Sequence, residues 1–64
     1  MIKNNIRKLR RSQDLSQQKL AAILGVKQGL ISKWELGKEA PAEENVNDMA
    51  DYFSVSPAYV LGKS

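Results

Sequence analysis

The amino-acid sequence predicts an all-α fold of five helices. Apolar residues recur at the three- and four-residue spacings of amphipathic helices, and no stretch alternates as a half-buried strand would. Glycine and proline interrupt these runs where helices begin or end, at Gly25, Gly37, Pro41, Pro57 and Gly62. No repeat or linker divides the chain, so we expect residues 1–64 to form one helical domain.

A first helix is predicted near the N-terminus. Ile2, Ile6 and Leu9 follow the i, i+4, i+7 spacing of a narrow apolar stripe, and basic residues occupy the other sides of this helix. Residues 12–14 are Ser, Gln and Asp, whose side chains hydrogen-bond to nearby backbone and favour turns. We therefore expect helix 1 to end within residues 12–14.

The second helix is predicted over residues 17–24. Ser16 precedes it as an N-cap, since a serine hydroxyl can accept a hydrogen bond from an open amide of the first turn. Gly25 follows it and can adopt the left-handed conformation that ends a helix and turns the chain. The apolar residues that we expect to face inward are Leu20, Ile23 and Leu24, with the small Ala21 beside them.

A third helix is predicted from about residue 28 to residue 36, and its two sides differ. At about 100° per residue, Ile31, Trp34 and Glu35 share an arc that we expect to face the core. The opposite arc is small, polar and cationic: it carries Gly29, Ser32 and Lys33, with Gln28 at its edge near the N-terminal end. Leu36 also falls on the outer arc and should be exposed. Such a helix is suited to enter a groove.

Helix 4 is predicted to start around Ala42. Glu43 and Glu44 lie in its first turn, where the helix dipole favours negative charge. Its core stripe follows the i, i+3, i+4, i+7 pattern through Val46, Met49, Ala50 and Phe53.

Ser56 and Pro57 signal the start of a short helix 5, which Gly62 closes. Three consecutive apolar residues in this segment cannot all be buried in one small monomer: Tyr59, Val60 and Leu61. Because a 64-residue chain is also only marginally able to bury a stable core, we predict a weak homodimer through helix 5 and the preceding loop.

The composition argues against several classes of function. The chain has no Cys and no His, which removes thiolate and imidazole metal ligands, cysteine nucleophiles and the commonest general base. We therefore expect no enzyme activity, no metal, no cofactor and no small-molecule substrate. The apolar runs are too short for a membrane span or a signal peptide, so we expect a cytoplasmic protein that does not bind membranes.

Charge is strongly segregated along the chain. Residues 1–34 contain eight basic residues and one acidic residue, a net charge of +7, whereas residues 35–64 contain two and six, a net charge of −4. A cationic half favours a polyanion as partner, with nucleic acid and anionic lipid as candidates. The alternative is a basic surface that only keeps the protein soluble, and charge alone does not choose between them.

The most specific signal is a spacing of seven residues within the segment 17–34. Counted from Gln17, the offsets 3, 4, 7, 8, 9, 14 and 17 carry the residue types of a helix-turn-helix, namely Leu20, Ala21, Leu24, Gly25, Val26, Ile31 and Trp34. With this pattern and the phrases MADYFSVS and PAYVLG, the chain resembles the Cro and phage-repressor (Xre) type of helix-turn-helix domain.

The resemblance implies a compact five-helix, lambda-repressor-like fold. It also implies sequence-specific binding of double-stranded DNA, usually as a symmetric dimer on a palindromic operator, and a role as transcriptional regulator, in the first instance a repressor. Residues 28–36 would then be the recognition helix that reads the major groove.

Roles for individual residues also follow from the resemblance. The positions that face base edges are Gln28, Gly29, Ser32 and Lys33. The positions at phosphates are Gln17, Gln18, Lys27 and Lys38. A pair that bridges helices 1 and 3 corresponds to Arg10 and Glu35, and the inward position of Glu35 on the helical wheel supports this pairing independently.

Two residues depart from the family pattern. Lys27 stands where a capping Ser or Thr is usual before the recognition helix. Gly29 replaces a side chain that commonly reads a base, and it should cost about 1 kcal/mol of local helix stability relative to alanine. The absence of a side chain argues against a direct contact of Gly29 with a base. The alternatives are a close approach of its backbone to DNA or a contact through water.

Other functions remain as alternatives. Exposed Leu30 and Leu36 and the apolar helix 5 would also suit a protein-interaction module of antitoxin or adaptor type, in which DNA binding is secondary. An enzyme is a distant third, for want of a nucleophile-base pair. Trp34 and Tyr52 could stack on bases, but single aromatics at helical spacing are more often core or rim residues.

Overall fold

The computed structural model of the chain describes residues 4–63, and within them it confirms five helices. The helices, in chain order, are α1 (Ile6–Ser12), α2 (Gln17–Leu24), α3 (Gln28–Glu35), α4 (Glu43–Phe53) and α5 (Pro57–Val60). Helix 1 of the prediction also included Ile2, which lies outside the described residues. The other predicted bounds agree with the observed ones to within a residue.

Two serines start helices as the sequence predicts. The Oγ of Ser16 accepts a hydrogen bond from the backbone N–H of Lys19 at 3.0 Å, and the Oγ of Ser56 accepts one from the N–H of Tyr59 at 3.1 Å. These bonds satisfy amides that a helix start otherwise leaves open. α3 follows Lys27 instead, and no side chain among residues 4–63 caps it.

All five described helices end in the same way. One residue in the left-handed region follows each helix, and the amide after it donates to the carbonyl five residues earlier, at 2.9–3.1 Å. This is the Schellman arrangement, which satisfies carbonyls at the helix end. The left-handed residues are Asp14, Gly25, Gly37, Ser54 and Gly62. The conformation suits glycine, whereas for Asp14 and Ser54 it carries a steric cost.

The core forms where the five helices meet. Trp34 is its largest side chain, and Ile6, Leu20, Ile31, Met49 and Val60 are fully buried around it. The predicted stripe of α4 is confirmed, since all four of its members are buried: Val46, Met49, Ala50 and Phe53.

The prediction that Ile23 faces inward is wrong, because its side chain is 39% exposed. The buried side of α2 is centred between Leu20 and Ala21, with Leu24 half-buried beside them. Ile23 lies on the far side of Leu20 from Ala21 on the helical wheel. α2 turns its alanine side toward the neighbouring helices, and this rotation moves Ile23 to the rim.

Two asparagines tie the segment before α1 to distant parts of the fold. The Nδ2 of Asn4 donates to the carbonyl of Trp34 at 2.8 Å. The Nδ2 of Asn5 donates to the carbonyl of Tyr59 at 2.7 Å, and the backbone N–H of Asn5 donates to the carbonyl of Val60 at 3.0 Å. The start of α1 is therefore fixed against the ends of α3 and α5.

Glu35 is fully buried and joins three helices. Its Oε2 accepts from the Nε of Arg10 at 2.6 Å. Its Oε1 accepts from the Nη2 of Arg10 at 3.1 Å, from the Nε of Arg7 at 3.2 Å and from the Nε2 of Gln17 at 3.1 Å. The Nη1 of Arg10 donates to the carbonyl of Leu15 at 2.7 Å. The carboxylate of α3 thus holds side chains of α1 and α2.

Opposing effects act on the pKa of the Glu35 carboxyl. Burial raises this pKa, but hydrogen bonds from Arg10, Gln17 and Arg7, together with the charge of Arg10, lower it by more. The net result is a pKa below the ordinary value of 4.5. The ionised form is therefore the one that the fold stabilises.

We expect Glu35→Gln to lower the free energy of unfolding by about 3–5 kcal/mol near neutral pH, because it leaves Arg10, whose side chain is only 13% exposed, without its anion. The wild-type advantage should be complete above a pH of about 4.5 and should be lost as the pH falls through the lower pKa of folded Glu35. Denaturant unfolding followed by circular dichroism at about pH 7 and about pH 3 measures both effects.

Glu39→Gln is the matched control, since it removes an exposed carboxylate and should change stability by less than about 0.5 kcal/mol. A stability difference between wild type and Glu35→Gln that is the same at both pH values would contradict this account.

Candidate nucleic-acid interface

α3 has one buried side and one open side. Ile31, Trp34 and Glu35 are at most 1% exposed and fix the helix in the core. On the opposite arc, Gly29 and Lys33 are exposed and Ser32 is half-buried, and Gln28 is exposed at the edge of this arc. The helix therefore projects a polar, cationic face from a rigid base.

α2 holds α3 in this position. The two helices make the most extensive helix-to-helix contact among the described elements. The turn at Gly25 joins them. Ala21 is 4% exposed and lies on the buried side of α2, which faces the neighbouring helices. Val26 follows the turn and packs against the core. The short, well-packed turn between α2 and α3 therefore fixes the orientation of the open face of α3.

Lys33 and Lys38 are coupled through the backbone at the end of α3. The amide of Lys38 donates to the carbonyl of Lys33 at 2.9 Å, across the left-handed turn at Gly37. Both side chains are exposed. The turn thus presents two ammonium groups near the C-terminal end of α3, one on the helix and one in the loop that follows.

The candidate phosphate-contacting residues occupy two helix starts and this loop. Gln17 is the first residue of α2, but its side chain is half-buried and its Nε2 donates to Glu35. Gln18 is the next residue and is exposed, and Lys27 is exposed at the N-cap of α3. Gln17 can therefore offer its backbone amide, while Gln18, Lys27 and Lys38 can offer side chains.

Sequence reasoning paired Glu35 with Arg10 alone, but Arg7 and Gln17 also donate to it. Arg7 lies three residues before Arg10, on the same side of α1, and this i, i+3 spacing was the available signal. Gln17 gave no such signal, because its contact depends on how α2 crosses α3. The contact of Asn4 with the carbonyl of Trp34 was missed for the same reason.

The aromatic residues separate into core and rim. Trp34 is 1% exposed and so cannot stack on a base in this structure. Tyr52 is 42% exposed and packs edge-to-face on Phe53, with 5.1 Å between ring centroids. Leu36 is 47% exposed, as expected, and Leu30 is partly buried against the core. None of the helices described between residues 4 and 63 is long and apolar enough to cross a bilayer.

A family model described as helix-turn-helix matches residues 6–60. The antitoxin PezA of Streptococcus pneumoniae is 32% identical over 63 residues, which are 98% of this chain and 40% of PezA. The transcriptional activator BcrR of Enterococcus faecalis is 39% identical over 51 residues, which are 80% of this chain and 25% of BcrR. The chain therefore spans less than half the length of either relative.

Solved structures share the fold. The P22 c2 repressor protein, crystallised in complex with the synthetic operator 9T, superposes with a TM-score of 0.85 at 30% sequence identity, over 94% of this chain and 91% of that chain. The family match covers most of the sequence, and the superposition covers all but a few residues. The chain belongs to the helix-turn-helix family, of the Cro and phage-repressor (Xre) type.

Proposed function

We propose that the protein binds double-stranded DNA sequence-specifically and regulates transcription, with α3 inserted in the major groove. The observation that carries this proposal is the open face of α3, which is polar and cationic while its opposite side is locked into the core by Ile31, Trp34 and Glu35. A major groove is wide enough to admit a helix, and base edges within it present donors and acceptors. The operator complex of the P22 c2 repressor supports the proposal.

The charge distribution supports the same partner. The net charge of +7 over residues 1–34 lies on the segment that contains α1, α2 and nearly all of α3. Most of the basic residues on this segment and the following loop are exposed, including Lys19, Lys27, Lys33 and Lys38. Exposed cations near the recognition surface bind phosphates and release counterions, so the affinity should fall steeply with salt.

Within this proposal the residues have two kinds of role. Gln28, Ser32 and Lys33 read bases, since a glutamine amide matches adenine N6 and N7 and a lysine can donate to guanine O6 and N7. Gln17, through its backbone amide, and Gln18, Lys27 and Lys38 contact phosphates and set the register of the protein on the duplex.

The full proposal is a cytoplasmic repressor without enzyme activity that binds a palindromic operator as a weak homodimer. Two recognition helices would then occupy successive major grooves about 34 Å apart. α5 supports the dimer, because Val60 is fully buried in its own monomer while Tyr59 and Leu61 are only partly buried. These two side chains remain available to a second copy.

A protein-interaction module is the second candidate, and two observations favour it. Leu36 is nearly half exposed beside the recognition helix, and PezA, which resembles the chain over almost its whole length, is an antitoxin. In that case the partner would cover Leu36, and substitutions on the open face of α3 would leave duplex affinity unchanged.

We expect Lys33→Ala and Lys38→Ala to weaken DNA binding in different ways. Lys33→Ala should cost about 1–3 kcal/mol on the preferred duplex and relax the choice at one or two base pairs. Lys38→Ala should weaken binding to all duplexes alike and reduce the salt slope by about one. Selection from random duplexes followed by fluorescence anisotropy across a salt series measures both.

The two substitutions remove the same side chain and the same charge, so each is the control for the other. Unchanged affinity in both variants would exclude the DNA-binding proposal and leave the interaction module.

The dimer has a separate test. Sedimentation equilibrium at high protein concentration should show a weak monomer-dimer equilibrium for the free protein. On a palindromic duplex recovered by the selection, the complex should contain two chains, whereas a single half-site should carry one. Monomer in the free state together with one chain on the palindrome would contradict the dimer.

A further inference from the structure

Gly29 differs from the glycines that end helices. Gly25, Gly37 and Gly62 follow helices and have φ values of +72° to +75°, a conformation in which a side chain is strained. Gly29 is the second residue of α3 and is not among the positive-φ residues. Backbone conformation therefore does not require glycine at position 29.

Packing does not require it either. A Cβ built on Gly29 would meet no heavy atom within 4 Å, leaving aside its chain neighbours and the backbone of its own helix. The position is exposed. Glycine in a helix is also less stable than alanine at the same place, because it loses more backbone freedom on folding. Within the free protein, alanine would fit at position 29 and would stabilise α3.

The location of Gly29 indicates what else could require it. Gly29, Ser32 and Lys33 are spaced i, i+3, i+4 and lie on the open face of α3, with Gln28 before them. Gly29 leaves a notch in this face at its N-terminal end. A neighbouring molecule can approach the backbone there by about the depth of one methyl group more than at any residue with a side chain.

We propose that Gly29 is a positioning residue that sets how deeply α3 enters the major groove. The backbone at Gly29 lies against the base edges, and this depth brings Gln28 and Lys33 within hydrogen-bond distance of the bases. The inference rests on the proposed DNA binding. It assigns Gly29 a steric role in place of a direct hydrogen bond to a base. A Cβ at position 29 would push the helix outward by about 1–2 Å, enough to break hydrogen bonds that have an optimum near 2.9 Å.

Gly29→Ala tests the inference because stability and affinity should change in opposite directions. The midpoint of thermal unfolding should rise by roughly 2–5 °C. Affinity for the duplex selected by the wild type should fall by about tenfold to a hundredfold, the loss expected when a base contact is broken. Binding to a mixed-sequence duplex at low salt should stay unchanged, because phosphate contacts do not depend on this depth.

Asn47→Ala is the matched control. Asn47 is exposed on α4, outside the proposed interface, and alanine should also raise the midpoint of unfolding. Its affinity for the selected duplex should equal that of the wild type, which separates the effect of stabilising a helix from the effect of filling the notch.

Equal or tighter binding of Gly29→Ala to the selected duplex would overturn the role of Gly29 and leave the DNA-binding proposal intact. A wild-type protein that selects no duplex at all would overturn both.

Discussion

The buried carboxylate of Glu35 is the interaction on which the position of the open face of α3 depends. It is the one fully buried charged side chain among residues 4–63, and it accepts hydrogen bonds from α1 and α2 while belonging to α3. A buried charge is tolerated only when it is paired and its lone pairs are satisfied. Both oxygens of Glu35 are occupied, so the same contacts that satisfy it also fix how the three helices meet.

This arrangement also organises the charge of the basic half. The segment 1–34 carries a net charge of +7 and would repel itself in a small volume. Glu35 neutralises part of it from the inside by binding Arg7 and Arg10. The other basic residues described between residues 8 and 38 remain exposed: Lys8, Arg11, Lys19, Lys27, Lys33 and Lys38. The internal pairing thus ties Arg7 and Arg10 to the fold and leaves the other described cations of this half exposed to solvent.

The left-handed residue after each helix also helps to fix the positions of the helices relative to one another. Helices of seven or eight residues, such as α1, α2 and α3, are not stable alone. Each of these three ends at a left-handed residue within two residues of its last turn, and the chain changes direction there. The corner at Gly25 sets the angle of α3 on α2, and the turn at Gly37 places Lys38 beside the end of α3. The open face of α3 and Lys38 are therefore held in place by these two turns.

Local signals in the sequence were sufficient to predict the helices and most of the open face of α3. The caps at Ser16 and Ser56, the turn at Gly25 and the inward arc of Ile31 and Trp34 depend on residues within a few positions of each other. Dihedral preferences and side-chain spacing decide such features before any tertiary contact forms.

Only the tertiary structure decided which way α2 is rotated and what surrounds Glu35. Ile23 matched the apolar pattern but lies at the rim, because the crossing of α2 on its neighbours turns Ala21 inward instead. Gln17 and Arg7 reach Glu35 across 18 and 28 residues of sequence. Such contacts depend on the packing of whole helices against one another. The i, i+3 spacing of Arg7 and Arg10 places both on one side of α1, but it does not specify which residue of another helix that side meets.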